Sequence, residues 1–210
     1  MSRDELNVFS EKGYKVRSMP YEKYFGEMAL TKKQKEKRIQ FAEKFEDKLL
    51  EFLTLYSLAI RYMQDDAFLR LKLQEFYFEV TAEYITVDKY IQDHATEYAD
   101  NFIKATKKHK SDPWYTSNDR VKFNAENEAN NVLNYGEFQD AIEAGNTKKR
   151  WRSMRDKKVR PSQREVDGEI IPIEDTFVVG DTLLRFPGDD EYDTSDGEQT
   201  VGCRCTLEYL

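Results

Sequence analysis

The chain has 210 residues, of which 39% are hydrophobic and 35% are charged, and its formal net charge is -7. This hydrophobic fraction excludes a wholly disordered chain, and the length suffices for one or two hydrophobic cores. The longest apolar stretch, residues 49–60, is interrupted by Glu51, and the amino terminus has no apolar run, so we expect neither a secretion signal nor a membrane span. The only cysteines, Cys203 and Cys205, are one residue apart, which excludes a disulfide framework and favours a reducing cytoplasm or a particle assembled there.

The charges are distributed unevenly within the carboxyl-terminal half. Residues 148–164 carry nine basic side chains and one acidic side chain, Asp156, whereas residues 165–210 carry two basic and thirteen acidic ones. This asymmetry predicts two polar faces that bind different partners or each other.

The first predicted helix begins after an irregular segment, residues 1–30. Thr31 and Gln34 have the spacing of a capping box, in which the two side chains satisfy backbone amides that the first helical turn leaves unpaired. Apolar residues then recur every three or four positions for about eight turns, which is typical of one buried helix face. The stripe consists of Ile39, Ala42, Phe45, Leu49, Phe52, Leu53, Tyr56 and Ile60.

A second helix is predicted to start at Asp65 or Asp66, either of which can cap it, and to continue toward Lys110. It ends before Pro113, which cannot extend a helix, so the helical region spans residues 31–112. The two helices should pair as a long antiparallel hairpin. We interpret their many aromatic side chains as core, and their surplus apolar surface as suited to packing on another protein. The second stripe consists of Leu69, Leu73, Phe76, Val80, Tyr84, Val87, Ile91, Tyr98 and Phe102.

Residues 113–210 are predicted to form a small domain with one helix and several strands. The helix covers about 118–144, and Gly145 provides the left-handed stop that commonly ends a helix. Its inner side carries Val121, Ala125, Glu128, Ala129, Val132 and Leu133. Short alternating or β-branched runs predict four or five strands, at 151–154, 170–173, 176–179, 183–186 and 205–209. The predicted fold class is therefore α+β, with a helical amino-terminal half followed by a small α+β domain.

Uncommon residue types follow one another in a fixed order through the second half of the chain. Asn134-Tyr135-Gly136-Glu137-Phe138 follows an Asn/Glu-rich helix segment, and a Lys/Arg/Trp run at 149–160 leads to Phe186-Pro187-Gly188-Asp189 and then to Cys203-Arg204-Cys205. This order, over residues 118–210, resembles the minor head proteins of tailed bacteriophages, the Mu F-like head morphogenesis family. We call the matching positions the family signature: Asn127, Glu128, Asn130, Trp151, Asp156, Arg160, Gly168, Phe177, Pro187, Gly188, Cys203, Arg204 and Cys205.

The resemblance implies a minor capsid protein of a phage or prophage. Such a protein would be present in the virion in few copies, inside the head near the portal, after assembly in the bacterial cytoplasm. Its partners would be the portal protein, other head proteins and double-stranded DNA, and it would assist head assembly and the packaging or ejection of DNA. Since the chain lacks the sequence motifs of nucleophilic, nucleotide-binding and zinc-deaminase enzymes, we expect it to act by binding rather than as an enzyme.

The two thiols are the candidate metal ligands, because thiolates suit zinc and members of the family commonly add a histidine. The family usually carries that histidine at the position of Gln163. His94 and His109 have no spacing relation to the cysteines. We therefore expect no cofactor and interpret Cys203 and Cys205 as small buried residues that close the last strand, with zinc as the alternative.

The basic segment offers a candidate nucleic-acid surface, because cations neutralise phosphates and an aromatic ring can stack on a base. The candidate residues are Lys148, Lys149, Arg150, Trp151, Arg152, Lys157 and Lys158. In the alternative interpretation these side chains line a solvated strand or pair with the acidic loop at 189–198. The resemblance to the family further implies that Trp151, Asp156 and Arg160 hold the fold rather than a ligand. The alternative functions are accordingly a stand-alone nucleic-acid-binding protein and, on a different chemistry, a transferase-type toxin derived from the same family.

Overall fold

A computed structural model of the chain describes residues 19–61, 65–191 and 197–210. Its order of helices and strands confirms the predicted α+β class, with long helices followed by short strands. The α-helices are α1 (Tyr21–Gly26), α2 (Lys32–Arg61), α3 (Asp66–Thr81), α4 (Lys89–Lys108), α5 (Asn118–Glu143) and α6 (Pro161–Glu165), with a 3-10 helix at Pro113–Thr116. The strands are β1 (Lys148–Arg152), β2 (Ile170–Pro172), β3 (Phe177–Val179), β4 (Thr182–Leu184) and β5 (Thr206–Tyr209).

The chain divides into two compact units whose limits lie inside helices. One unit is residues 40–125, and the other combines the chain up to residue 39 with residues 126–210. Helices α2 and α5 each contribute residues to both units. The domain limits expected from the sequence, after residues 30 and 112, stay predictions.

The unit formed by residues 40–125 has an aromatic core built by α2, α3 and α4. The predicted α2 stripe is confirmed from Ala42 to Tyr56, whereas Ile60 is exposed and Ala59 is buried in its place. Phe45 of α2 lies edge-on against Tyr77 of α3, with 5.2 Å between ring centroids. Salt bridges from Lys48 to Glu79, at 2.8 Å, and from Lys44 to Glu83 run along the antiparallel α2 and α3 pair, as the predicted hairpin requires.

The single second helix predicted for this region is wrong, because the structure contains two helices there. Helix α3 ends at Thr81, and α4 begins only at Lys89. The interruption contains the β-branched run Ile85-Thr86-Val87, which disfavours helix, and is followed by Asp88, whose carboxylate accepts a hydrogen bond from the Ile91 backbone N–H at 3.1 Å. The Asp88 cap therefore starts a new helix, and α3 does not continue into α4.

Arg120 is a buried cation in this unit that the sequence analysis did not identify. Its guanidinium donates to the backbone carbonyls of Tyr115 at 2.5 Å and Phe102 at 3.1 Å, and it lies 3.9 Å above the Phe102 ring. Burial lowers the pKa of Arg120 to about 10. The side chain thereby ties the 3-10 helix to the end of α4.

The other unit contains all the strands that the structure describes. Strand β1 is central in a three-stranded sheet of order β2-β1-β5 and pairs antiparallel with both neighbours, while β3 and β4 form a separate hairpin. Strand β1 begins at Lys148, three residues before the predicted start at Trp151. The Lys148 backbone N–H already bonds the Leu210 carbonyl at 3.2 Å, so the pairing extends further than the sequence indicated. Trp151 itself is fully buried and lies edge-on against Phe177, with 5.1 Å between ring centroids.

Two short helices in this unit were not predicted. Helix α1 lies within the segment 1–30 that was expected to be irregular, and it buries Tyr21 and Phe25; residues 1–18 of that segment lie outside the described residues. Helix α6 begins at Pro161, a residue favoured at the first helical position because it has no N–H to leave unpaired. A pattern of only five or six residues is too short to show helical periodicity.

The helix caps identified from the sequence are confirmed. The Thr31 N–H bonds Gln34 Oε1 at 2.9 Å, the Gln34 N–H bonds Thr31 Oγ1 at 3.3 Å, and Gly145 adopts a φ of 78°.

Asp65 caps α3 by accepting a hydrogen bond from the Phe68 backbone N–H at 2.9 Å. Replacing Asp65 with Ala removes this acceptor and should lower the free energy of unfolding by about 1 kcal/mol. Urea titration followed by circular dichroism measures the change, and Asp65→Asn, which keeps a side-chain oxygen, should lose much less. Equal losses for the two variants would contradict a capping role.

Candidate functional site

Three asparagines on one face of α5 bind the backbone of the last turn of the chain. Asn127, Asn130 and Asn134 are spaced by three and four residues and therefore lie on one side of the helix. Their bonds run from the Gly202 N–H to Asn127 Oδ1 (2.7 Å), from Asn130 Nδ2 to the carbonyls of Cys203 (2.9 Å) and Cys205 (3.3 Å), and from Asn134 Nδ2 to the carbonyls of Pro187 (2.9 Å) and Cys205 (3.2 Å). Segment 202–205 has few backbone partners of its own, so these amides fix its course.

Arg38 of α2 completes this asparagine ladder from the opposite side. Its fully buried guanidinium donates to Asn130 Oδ1 at 3.1 Å and to Asn134 Oδ1 at 2.8 Å. Two further bonds, at 2.6 and 3.1 Å, reach the two carboxylate oxygens of Glu137. Asn130 and Asn134 therefore use their side-chain oxygens for Arg38 and their nitrogens for the backbone, which leaves no choice of orientation for either side chain.

The two cysteines lie at the far end of the ladder, against the side chain of Gln163. The Gln163 amide nitrogen donates to the Gln199 carbonyl at 2.9 Å and to Cys203 Sγ at 3.3 Å. The Cys205 thiol donates to Gln163 Oε1 at 3.6 Å. Both cysteines are 1% exposed, and Gln163 is 2% exposed. Gln163, from the short helix α6, thus joins two thiols that are some forty residues further along the chain.

The thiols have strongly different acidities. Hydrogen bonding with Cys205, with help from the nearby Arg160 and Arg204 guanidinium groups, outweighs burial and lowers the pKa of Cys203 to about 7. The same hydrogen bond and burial raise the pKa of Cys205.

Two family-signature residues hold this region by polar contacts of their own. Asp156 accepts a hydrogen bond from Arg204 at 2.7 Å, and Arg160 donates to the Val201 carbonyl at 2.5 Å. These contacts place Arg204 and the Val201 backbone against the segment between β1 and α6. Residues far apart in sequence thus converge on one short carboxyl-terminal segment.

The comparison with protein families covers the asparagines, Gln163 and the two cysteines of this site, but not Arg38. The profile of the family described as Phage Mu protein F like protein matches residues 84–208, which is more than half of the chain. The chain belongs to this family. The match confirms the resemblance seen in the sequence and extends it upstream to include α4. The curated proteins and the solved structures that were searched contain no match to the chain.

Membership of the Mu F-like family makes this a protein related to bacteriophage heads. Most of its family signature is internal: Trp151, Phe177, Cys203 and Cys205 are all buried. Gly168 and Gly188 adopt φ angles of 88° and 92°, a region in which other residues are strained. No helix in the described part of the chain is long and apolar enough to cross a membrane.

The residues around the thiols do not fit a zinc site. Zinc in proteins takes four ligands from thiolate, imidazole and carboxylate groups, and this Mu F-like chain offers two thiols and a carboxamide. Within the described residues no group of three or more histidine, cysteine, aspartate and glutamate side chains could hold a metal ion. His94 and His109 belong to the other unit, where each lies against a tyrosine ring.

The nucleic-acid surface predicted from the basic segment needs correction at two positions. Lys149 and Trp151 are each 0% exposed, so neither can contact a phosphate or stack on a base. Both point inward because alternate residues of β1 face the core. Arg150 and Arg152, which face outward, both form salt bridges with Glu208 of the neighbouring strand, at 3.0 and 3.4 Å.

Lys148, Lys157 and Lys158 remain exposed, as a nucleic-acid surface requires. The alternative pairing with the acidic loop at 189–198 falls partly on residues 192–196, which lie outside the described residues. The acidic partner that the sequence analysis missed is Glu208. Glu208 lies in the predicted strand 205–209, and pairing of that strand with the basic one would have brought the opposite charges together.

Lys149 is a buried ammonium group that has no hydrogen-bond partner in the described part of the chain. Its Nζ lies 4.8 Å from the centre of the Phe138 ring and 5.6 Å from that of Phe177. Burial lowers the pKa of Lys149 from 10.5 to about 8, although the nearby Asp189 opposes the shift. The charged form is therefore less stable in the folded protein than in the unfolded chain.

Replacing Lys149 with Met should stabilise the protein at neutral pH by up to about 3 kcal/mol, because it removes this buried charge. Between about pH 8 and pH 10.5 the unfolded wild-type chain binds a proton that the folded protein has released, so wild-type stability rises there. The advantage of Lys149→Met should therefore shrink through this pH range. Urea unfolding across it tests the prediction, with the exposed Lys148→Met as control; a gain that does not depend on pH would contradict it.

Proposed function

We propose that this protein is a minor head protein of a phage or prophage, which lies inside the head near the portal and assists DNA packaging or ejection by binding. The observation that carries the proposal is the family match over residues 84–208. In this proposal its partners are the portal protein, other head proteins and the packaged DNA. It is assembled in the bacterial cytoplasm and retained in the virion.

The surroundings of the thiols support binding rather than catalysis. A nucleophilic thiolate needs access to substrate and a neighbouring base. Cys203 is 1% exposed, and its neighbours are an amide and arginines, none of which accepts a proton at neutral pH. The polar atoms of the asparagine ladder are likewise already engaged, by the backbone, by Arg38 and by Glu128. We therefore propose that the family signature in this chain maintains a fold that presents its outer surface to partners.

The test is quantitative mass spectrometry of nuclease-treated, gradient-purified particles from a strain that produces the phage. Peptides of this chain are scaled to those of the portal and major capsid proteins. A reproducible small number of copies per particle is expected, retained through the gradient. Arg38→Met, which we expect to unfold the ladder, serves as the control for incorporation of the folded protein. Absence of the wild-type chain from complete particles would overturn the proposal.

We further propose that the thiol pair works without a metal ion, since Gln163 occupies the position of the family histidine. The purified protein should contain no stoichiometric zinc by plasma mass spectrometry. Gln163→His supplies a nitrogen ligand beside two thiols and should take up Co²⁺ with thiolate-to-metal charge-transfer absorption. The double variant Gln163→His/Cys203→Ser should lose that absorption. Stoichiometric zinc in the wild-type protein that Cys203→Ser removes would contradict the proposal.

A further inference from the structure

A cleft of about 540 Å³ opens beside the turn that links β1 to α6. It belongs entirely to the unit that contains the strands. The residues that line it combine three basic side chains, two carboxylates and one hydroxyl: Arg155, Lys157, Arg164, Asp156, Asp167 and Ser153. The polar chemistry of the cleft depends on whether the carboxylates or the basic groups are available to a ligand.

Both carboxylates are engaged by groups of the protein. Asp167 accepts bonds from the Ser153 backbone N–H at 2.8 Å and from Arg155 Nε at 2.7 Å. Asp156 accepts bonds from the Lys158 backbone N–H at 2.8 Å and from Arg204 at 2.7 Å. Although burial alone would raise them, these bonds lower the pKa values of both groups. Their negative charges are therefore largely compensated before any ligand binds.

The basic groups, by contrast, have unused donors. Arg164 uses one terminal nitrogen to bond the carbonyls of Lys157 at 3.1 Å and Asp156 at 3.4 Å, which holds the guanidinium over the turn. Its other N–H groups and the Lys157 ammonium form no ion pair within the described residues. Lys157, Lys158 and Arg164 are exposed. The cleft therefore presents a net positive charge with free hydrogen-bond donors.

The backbone of Arg155 adds a second, independent observation. Arg155 has a φ of 55°, and it is the one non-glycine residue with a positive φ in the described part of the chain. Such a conformation costs roughly 1 kcal/mol or more relative to glycine, and strained residues cluster where function needs a side chain. The Arg155 side chain is 66% exposed, so packing does not explain the arginine. The Arg155 guanidinium bonds Asp167 in the lining of the cleft, so the strained backbone holds this charged group at the cleft.

We propose that this cleft binds a phosphate group through Arg155, Lys157 and Arg164. Guanidinium and ammonium groups on a turn are the usual donors to phosphate oxygens, and the compensated carboxylates leave the cleft cationic. The phosphate belongs either to the backbone of double-stranded DNA or to a free phosphate or pyrophosphate ion. The inference rests on the proposed function, in which the protein handles DNA, and assigns the DNA contact to a place outside β1.

The test measures binding of a fluorescent DNA duplex by anisotropy over a range of salt concentrations. Lys157→Gln/Arg164→Gln should weaken binding about tenfold and reduce the slope of log affinity against log salt by about two. Lys32→Gln/Lys33→Gln is the matched control, because it removes two exposed charges from the same unit at the start of α2. Arg155→Gly, which also relieves the strained φ, should weaken binding without lowering the melting temperature.

Competition with pyrophosphate distinguishes the two sources of the phosphate. Displacement of the duplex at millimolar pyrophosphate, lost in Lys157→Gln/Arg164→Gln, assigns recognition to the phosphate group itself. Loss of duplex binding in this variant without competition by pyrophosphate assigns it to the DNA backbone. Equal duplex affinities and salt slopes for Lys157→Gln/Arg164→Gln, the control and the wild type would overturn the proposal that the cleft binds phosphate. If Arg155→Gly fails to fold, the double variant still decides.

The particle measurement keeps this inference separate from the proposed function. If the wild-type protein is present in particles and Lys157→Gln/Arg164→Gln binds the duplex as the wild type does, only the phosphate-cleft proposal is overturned. Protein that is absent from particles but loses duplex binding in the cleft variant overturns the proposed function and leaves the phosphate cleft standing.

Discussion

Arg38→Met should lower the free energy of unfolding by about 3–5 kcal/mol, one of the two largest losses that we expect from a single substitution. The substitution keeps the length and the apolar part of the side chain but removes the guanidinium. It leaves the Glu137 carboxylate, whose side chain is 14% exposed, without its buried partner. The side-chain oxygens of Asn130 and Asn134 also lose their donor, and unpaired buried polar atoms cost more than a lost bond at the surface. Urea unfolding followed by tryptophan fluorescence measures the loss.

Lys32→Met is the matched control for Arg38→Met. Lys32 lies on the same helix, its side chain is 91% exposed, and its ion pair with Glu36 spans 3.7 Å, so its removal should cost less than about 0.5 kcal/mol. The double variant Arg38→Met/Glu137→Met removes both charges and should recover part of the loss, which gives a positive coupling in a double-mutant cycle. Equal stability of the Arg38 and Lys32 variants would show that the ladder does not depend on its cation.

The sequence predicted the helices and strands well where their signals are local. The Thr31 and Asp65 caps and the Gly145 stop are each specified by one or two residues, and all three are found. Five strands were located because β-branched runs alternate with turns. The division of the second helix was missed because the apolar stripe continues from Val87 to Ile91, on either side of the Asp88 cap. An apolar stripe can continue across a short interruption of the helix. A cap forms only where the side-chain oxygen is a better acceptor for the backbone N–H than the carbonyl four residues earlier.

The sequence predicted several residues of the site but not the contacts between them. The order of the family signature identified Asn130, Cys203 and Cys205, and the departure at Gln163 lies directly against the thiols. Arg38 was missed because a charged residue beside an apolar stripe usually lies in water, and nothing near it in the sequence indicates partners that are 92–99 residues away. Lys149 and Trp151 were misassigned because a charge run was read without the alternation of the strand that carries it.

From the ladder and the thiols together we expect segment 202–205 to tolerate few substitutions. The last strand, β5, is short and follows a turn whose backbone bonds asparagine side chains rather than another strand. Substitutions that move α5, α2 or the Pro187 turn therefore alter the same four residues, 202–205. The course of this segment therefore depends on satisfaction of each buried donor and acceptor.

Gly188→Ala should cost about 4 kcal/mol, because the loop that contains Gly188 approaches α5 too closely for a side chain. A Cβ at this position would lie 2.2 Å from Asn131 Oδ1, 2.6 Å from Asn131 Cγ and 3.1 Å from its Cα. The first two contacts are with the Asn131 side chain, which would have to move, and the third leaves a tight contact with the helix backbone whatever the side chain does. A shift of the loop would also break the bond from Asn134 to the Pro187 carbonyl, now 2.9 Å long.

Gly145→Ala separates the two causes of this loss. Gly145 has a similar φ, 78° against 92°, but a Cβ there would meet no atom within 4 Å. It should therefore report backbone strain alone, about 1–2 kcal/mol. The difference between the two variants, about 2 kcal/mol or more in the free energy of unfolding, measures the close approach of the Pro187-Gly188 turn to α5. Equal losses would mean that the turn can move away from the helix, and the family glycine would then be explained by its φ alone.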